Sequence, residues 1–202
     1  MNLQCTSPNL EDYLVELPAL DFSHPLVQAK SDELFTAYPS EISKVQRAFC
    51  FVRDRIDHSW DIQGKQNTCK ASEVLQHQEG ICYAKTHLLA ALLRSQGVPT
   101  GFCYQRLTLF DTAEQGYCIH ALNAVFLSDQ QTWIRLDARG NKPGINAQFS
   151  GGKEQLAFTV REELDEKDYP FIFAKPHPKI LNTLTSYADP IDMCRSGLPN
   201  EL

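Results

Sequence analysis

The amino-acid sequence predicts an α+β fold, with helices first and an antiparallel sheet after them. Apolar residues recur at helical steps up to Gln96, and β-forming runs take over from Gly101. No βαβ alternation mixes the two, which argues against a doubly wound parallel sheet. With 202 residues, 43% of them hydrophobic and 22% charged, the chain has the balance of a well-cored globular protein.

Each element has a local reason. Met1 to Phe22 reads as an irregular lead-in with a short strand at Tyr13–Leu17. Pro25 opens a helix, because its missing N–H costs nothing in a first turn. Leu26, Val27, Leu34, Phe35 and Tyr38 give it an apolar face up to Pro39. Ser40 is a good N-cap for a second helix, whose stripe is Ile42, Val45, Phe49, Val52 and Ile56. Gln63 to Thr68 is a polar loop, and Ala71 to Gln76 a short helix closed at Gly80. Cys82 to Gln96 is apolar on most sides and should be a buried central helix, stopped by Gly97 and Pro99. Gly101–Leu109, Cys118–Leu127 and Thr132–Ala138 read as strands. Gly140 to Lys153 is a Gly-rich loop, and Arg161 to Asp168 a solvated acidic run. The Pro-rich tail carries one helix around Lys179–Ser186, and Phe171, Ile172 and Phe173 pack against the core beside the cleft.

Composition narrows the function. There are 19 Lys and Arg against 25 Asp and Glu, and no basic run, so a nucleic-acid partner is not expected. No apolar stretch approaches ~18 residues, so no membrane span is expected. Met1 to Leu20 lacks the basic start and apolar core of a secretory signal. The seven cysteines are Cys5, Cys50, Cys69, Cys82, Cys103, Cys118 and Cys194. Their number is odd and no CxxC occurs, which favours free thiols in a reducing, cytoplasmic compartment. No metal site and no cofactor are expected. His58 and His77 read as surface or loop residues, His87 lies on a different helix face from Cys82, and Cys103 and Cys118 read as structural neighbours in the sheet.

One cysteine is placed differently. Cys82 opens the central helix, where unpaired N–H groups and the positive end of the dipole favour a thiolate. A thiol nucleophile needs a base and a group that orients the base. His120 lies in one predicted strand and Asp137 in the next. A two-residue hairpin loop puts His120 opposite Asp137. A four-residue loop, Ser128 to Gln131, makes Asp137 its diagonal neighbour on the same face. A three-residue loop without a bulge would separate them. Asn141 is the fallback for the third role.

The residues around this trio resemble the core of the transglutaminase-like superfamily. Gly80-Ile81-Cys82-Tyr83-Ala84, then Leu88 to Leu93, Arg94, Gly97-Val98-Pro99 and Gly101 match its cysteine block. His120-Ala121-Leu122 is similar to its histidine strand, and Trp133 to Ala138 to its aspartate strand. The resemblance runs from Ala71 to Arg139. It implies a papain-like fold, with the central helix and its cysteine packed on an antiparallel sheet. It also implies a Cys82–His120–Asp137 triad and thiol chemistry at amide bonds. The whole of 1–202 is expected to form one such domain, with its core at about 40–140.

Such a site acylates Cys82 and releases the acyl group to water or to an amine. An oxyanion would be held by the Cys82 N–H and a side-chain donor, for which Gln76, Gln78, Trp60 and Asn67 are candidates. Tyr83, Tyr104 and Arg106 are candidate substrate contacts. The expected partner is a protein or peptide substrate, with an amine acceptor in the transfer version. Hydrolysis leads; a small-acyl transferase and a non-catalytic peptide-binding module are the alternatives.

Overall fold

The computed structural model describes residues 2–109, 112–151 and 154–202. Gly152 and Lys153, the end of the predicted Gly-rich loop, lie outside the described residues.

The chain opens with a two-residue strand, β1 (Gln4–Cys5), and a 3-10 turn at Leu10–Tyr13. The strand predicted at Tyr13–Leu17 does not form. Tyr13 is fully buried instead, its hydroxyl donating to Ser7 O and Ile172 O and its ring edge-on to Trp133 at 4.9 Å. An aromatic anchor with a polar tip fixes the lead-in there, so no ladder is needed.

Two helices follow, α1 (Pro25–Phe35) and α2 (Glu41–Arg55). His24 Nδ1 accepts from the Leu26 N–H, and Ser40 Oγ from the Ser43 N–H. Both helices therefore begin where a side chain can satisfy an orphan donor. Next come β2 (Asp57–His58), α3 (Ser59–Ile62), α4 (Ala71–His77) and β3 (Glu79–Gly80). β2 pairs in parallel with β3, setting His58 against Gly80.

The central helix is α5 (Cys82–Arg94), and everything from Tyr83 to Arg94 is buried. Its polar side chains survive burial because each meets backbone. Lys85 donates to Ile56 O, His87 Nδ1 to Cys69 O, and Tyr83 OH to Ile119 O. Arg94 donates to Thr100 O, Val15 O and Ala174 O. These bonds tie the helix to the lead-in, the second helix, the sheet and the tail. Gly97, at φ +73°, supplies the left-handed turn that ends it.

The sheet comprises β4 (Thr100–Thr108), β5 (Tyr117–Leu127), β6 (Thr132–Leu136) and β7 (Lys167–Asp168). Its order is β6-β5-β4-β7, antiparallel throughout. Leu127 pairs with Thr132, so the hairpin loop is the four-residue one, 128–131. Cys103 pairs with Leu122 and Cys118 with Leu107, so those cysteines are not neighbours.

The tail holds β8 (Phe171–Ile172), α6 (Pro178–Ser186) and α7 (Pro190–Ser196), one helix more than predicted. Asp189 caps α7 by accepting from the Ile191 and Asp192 N–H groups. In β8, Ile172 is fully buried while Phe171 is 38% exposed, as expected of alternating strand residues. The acidic run is also less solvated than predicted. Glu166 is 3% exposed because its carboxylate accepts from Thr108 N–H, Thr108 Oγ and the Arg161 guanidinium.

Gly101 marks a close approach between sheet and tail. A Cβ there would lie 2.4 Å from Ile172 Cγ2 and 3.1 Å from Phe173 O. Gly101→Ala is expected to lower the urea-unfolding free energy by about 1–3 kcal/mol through overpacking. An unchanged midpoint would show that β8 yields freely.

Candidate active site

Cys82 is the first residue of α5, half-buried, with no acidic side chain in the first turn to offset the helix dipole. His120 comes from β5 and is 4% exposed. Asp137 follows the last residue of β6 and is 1% exposed. The β5–β6 register, extended past Leu136, makes Asp137 the diagonal neighbour of His120. His120 Nε2 donates to Asp137 Oδ2 at 2.8 Å.

Asp137 is fully engaged. Its Oδ1 accepts from the Arg139 N–H at 3.2 Å and its Oδ2 from the Ala157 N–H at 3.0 Å. Phe158 packs edge-on to the His120 ring, with centroids 5.0 Å apart. Burial opposes charge on both groups. For His120, the Asp137 carboxylate, the nearby Cys82 sulfur and the hydrogen bond to Asp137 outweigh it, and the pKa is raised to about 10. For Asp137, the His120 charge and the three donors hold the carboxyl below its ordinary value. Both shifts favour the imidazolium–carboxylate form of the pair.

Cys82 and His120 share the wall of one cavity of about 560 Å³. Around them stand His58, Trp60, Tyr83, Arg139 and Lys142, with Ala157 and Phe158 from the loop after β6. Cys118, Cys194 and Leu198 also face it. The tail therefore reaches the cleft through α7 and Leu198, whereas Phe173 borders a different cavity.

The other sequence candidates fall in different places. Trp60 lines the cleft. Gln76 and Gln78 are exposed outside it, and Gln78 closes α4 by donating to Leu75 O at φ +58°. Asn67 spends its amide on Leu184 O and Tyr187 O, at 2.7 and 2.6 Å, and so holds the end of α6. Asn141 closes its own loop on Ala147. Tyr83 is in the cleft wall, but its hydroxyl is occupied by Ile119 O at 2.7 Å. Tyr104 is buried away from the cleft, accepting from the His177 N–H. Arg106 stacks on Tyr117 at 3.5 Å and donates to Asp165 and Asn200 O.

His58 and the Arg139–Asp61–Lys142 ion group at the rim escaped the sequence reading. His58 is half-buried: it lines the cleft and its Nδ1 is sealed from solvent. Arg139 grips Asp61 through two bonds and Lys142 adds a third. Nothing in local spacing announces either, since β2, α3 and the loop after β6 meet only in three dimensions. Among the described residues, no group of three or more His, Cys, Asp or Glu side chains is arranged to hold a metal.

A helix-borne cysteine that shares a cleft with a strand-borne histidine fixed by a carboxylate suits a thiol-dependent enzyme. The chain belongs to the transglutaminase-like superfamily, whose family model matches residues 28–138, more than half of its length. No curated protein matches it. Among solved structures it is similar to a candidate cysteine protease from Cytophaga hutchinsonii, at 17% identity and a TM-score of 0.48. The similarity covers 66% of this chain and 43% of that one, so this chain spans under half of that structure. Among the described residues, no helix is long and apolar enough to cross a membrane.

Proposed function

We propose that this protein cleaves amide bonds of a protein or peptide through an acyl-thioester on Cys82. The observation that carries this reading is His120, bonded to Asp137 at 2.8 Å and sharing the wall of one cleft with Cys82. With Nε2 committed to Asp137, Nδ1 is the nitrogen left for the sulfur. The imidazolium favours the thiolate, which attacks the substrate carbonyl carbon. The Cys82 N–H and one side-chain donor receive the oxyanion. Of the four donors predicted, Trp60 is the one in the cleft wall. His120 then gives its proton to the departing amine, and as neutral imidazole draws a proton from the water that opens the thioester.

Water is the proposed acceptor because the cleft is open and carries polar side chains, Lys142, Thr159 and Arg161 among them. Transfer to an amine needs a drier channel. Seven free cysteines suit a reducing compartment such as the cytoplasm.

The test is a labelling contest. Burial pushes up the thiols of Cys50 and Cys103, that of Cys69 to about 11, and those of Cys118 and Cys194 to about 12. Iodoacetamide at pH 6.5, read by peptide mapping, should therefore modify Cys82 ahead of these five and ahead of exposed Cys5. His120→Ala should remove the lead. If Cys82 is inert or reacts like the rest, the activated nucleophile does not exist and the peptide-binding module becomes the better account. Thioester formation with small esters but without amide cleavage would point to the small-acyl transferase.

A further inference from the structure

We propose that His58 is a catalytic hydrogen-bond donor, giving its ring N–H to the carbonyl oxygen of the substrate as Cys82 attacks. This rests on the acyl-thioester reading above and adds to it a group that neither residue spacing nor the family match singles out.

The first observation is position. His58 shares the cleft wall with Cys82 and His120. It is held there by the β2–β3 pairing, which sets it against Gly80, two residues before the nucleophile. Gly80 is itself closely packed on its other neighbours: a Cβ there would stand 3.0 Å from Thr68 Oγ1 and 3.1 Å from Ala84 Cβ. The backbone of His58 is thus paired with the segment that leads into α5, and a donor fixed by such a pairing loses little on reaching the transition state.

The second observation is an unmet hydrogen bond. Nδ1 of His58 is buried and has no partner. A buried N–H without an acceptor is rarer in folded proteins than an unused lone pair. The single proton of the neutral ring therefore belongs on Nε2, which is not sealed off in this way.

The third observation is the charge around it. Burial, Arg139, Lys85 and His120 all disfavour a second proton on His58, with Asp61 alone favouring it, and the ring's pKa is held well below the ordinary histidine value. A neutral imidazole polarises a carbonyl without competing with His120 for the acid–base role. Two histidines in one cleft thus stand in opposite settings: His120 is paired with a carboxylate, which favours its charge, and His58 lies among groups most of which favour its neutral form.

The experiment compares two reactions of the same sulfur. Acylation by p-nitrophenyl acetate joins sulfur to the carbonyl carbon, passes negative charge to the carbonyl oxygen, and expels p-nitrophenolate. Alkylation by iodoacetamide joins the same sulfur to a saturated carbon and expels iodide, so no oxyanion forms. In His58→Phe the burst of p-nitrophenolate should slow about 100-fold, while alkylation of Cys82 keeps its wild-type rate. His58→Gln, which retains an N–H donor, should recover much of the loss. His58→Leu repeats the donor deletion with a second packing and guards against a folding defect in the Phe variant. Wild-type burst rates in His58→Phe and His58→Leu would overturn the inference alone. So would a parallel fall in both reactions, which marks a structural role, or a loss confined to Trp60→Phe, which gives the donor to the indole. A wild-type protein that is alkylated at Cys82 yet shows no burst would overturn the acyl-thioester reading, and this inference with it.

Discussion

Cys82→Ala is expected to abolish turnover of amide and ester substrates, a loss on the order of 10⁶-fold, with the fold unchanged. The magnitude follows from the chemistry. Without the sulfur no thioester forms, and the remaining N–H groups stabilise only direct attack by water. The substitution is small and the site half-buried, so circular dichroism and the unfolding midpoint should match wild type. Cys118 and Cys194 face the same cavity, but burial pushes both thiols up to about 12, so neither supplies a thiolate near neutrality. Turnover in the variant within 100-fold of wild type (a far smaller loss than nucleophile removal brings) would exclude Cys82 as nucleophile.

Asp137→Asn is expected to lower kcat by about 10⁴-fold while leaving the strand geometry intact. Asn keeps the shape but not the charge, and its amide can present an N–H where His120 Nε2–H needs an acceptor. The proton on His120 then loses its strongest support. Wild-type His120 should hold its NMR imidazolium shift until about pH 10, and in Asp137→Asn it should titrate markedly lower.

Stability follows the same linkage. The raised His120 pKa gives stabilisation that is complete below 6.5, its ordinary value, and is lost as pH climbs towards about 10. The depressed Asp137 pKa gives stabilisation that is present above 3.8 and is lost as pH falls through the lowered value. The pair therefore contributes most at mildly acid pH, and Asp137→Asn should flatten the pH dependence of Tm on both sides. A wild-type His120 that titrates near 6.5, or a variant with an unchanged pH–Tm profile, would remove the ion pair from the account.

Much of this protein is legible because its signals are local. Pro25 and Ser40 mark helix starts since the first N–H groups of a helix must be met by neighbours in sequence. Gly97 marks a helix end because the turn there needs a positive φ. The residue types for thiol chemistry, and their order along the chain, are equally open to reading.

What sequence left undecided depends on which segments meet. An even hairpin loop was enough to keep His120 and Asp137 on one face, but the choice of four residues belongs to the packed sheet. Tyr13 looks like a strand residue until the tail offers Ile172 O to its hydroxyl. Glu166 looks solvated until Thr108 and Arg161 close around it. Asn67 and Arg106 look like cleft residues until their acceptors, Leu184 O and Asn200 O, are found on the tail. His58 shows the same rule most clearly. Its place in the cleft and the charges around it are set largely by β3, α5 and the loop after β6, none of which is its neighbour in sequence. Propensity and capping act over a few residues, whereas burial and charge pairing act through space, and the chemistry of a cleft is decided by the second kind.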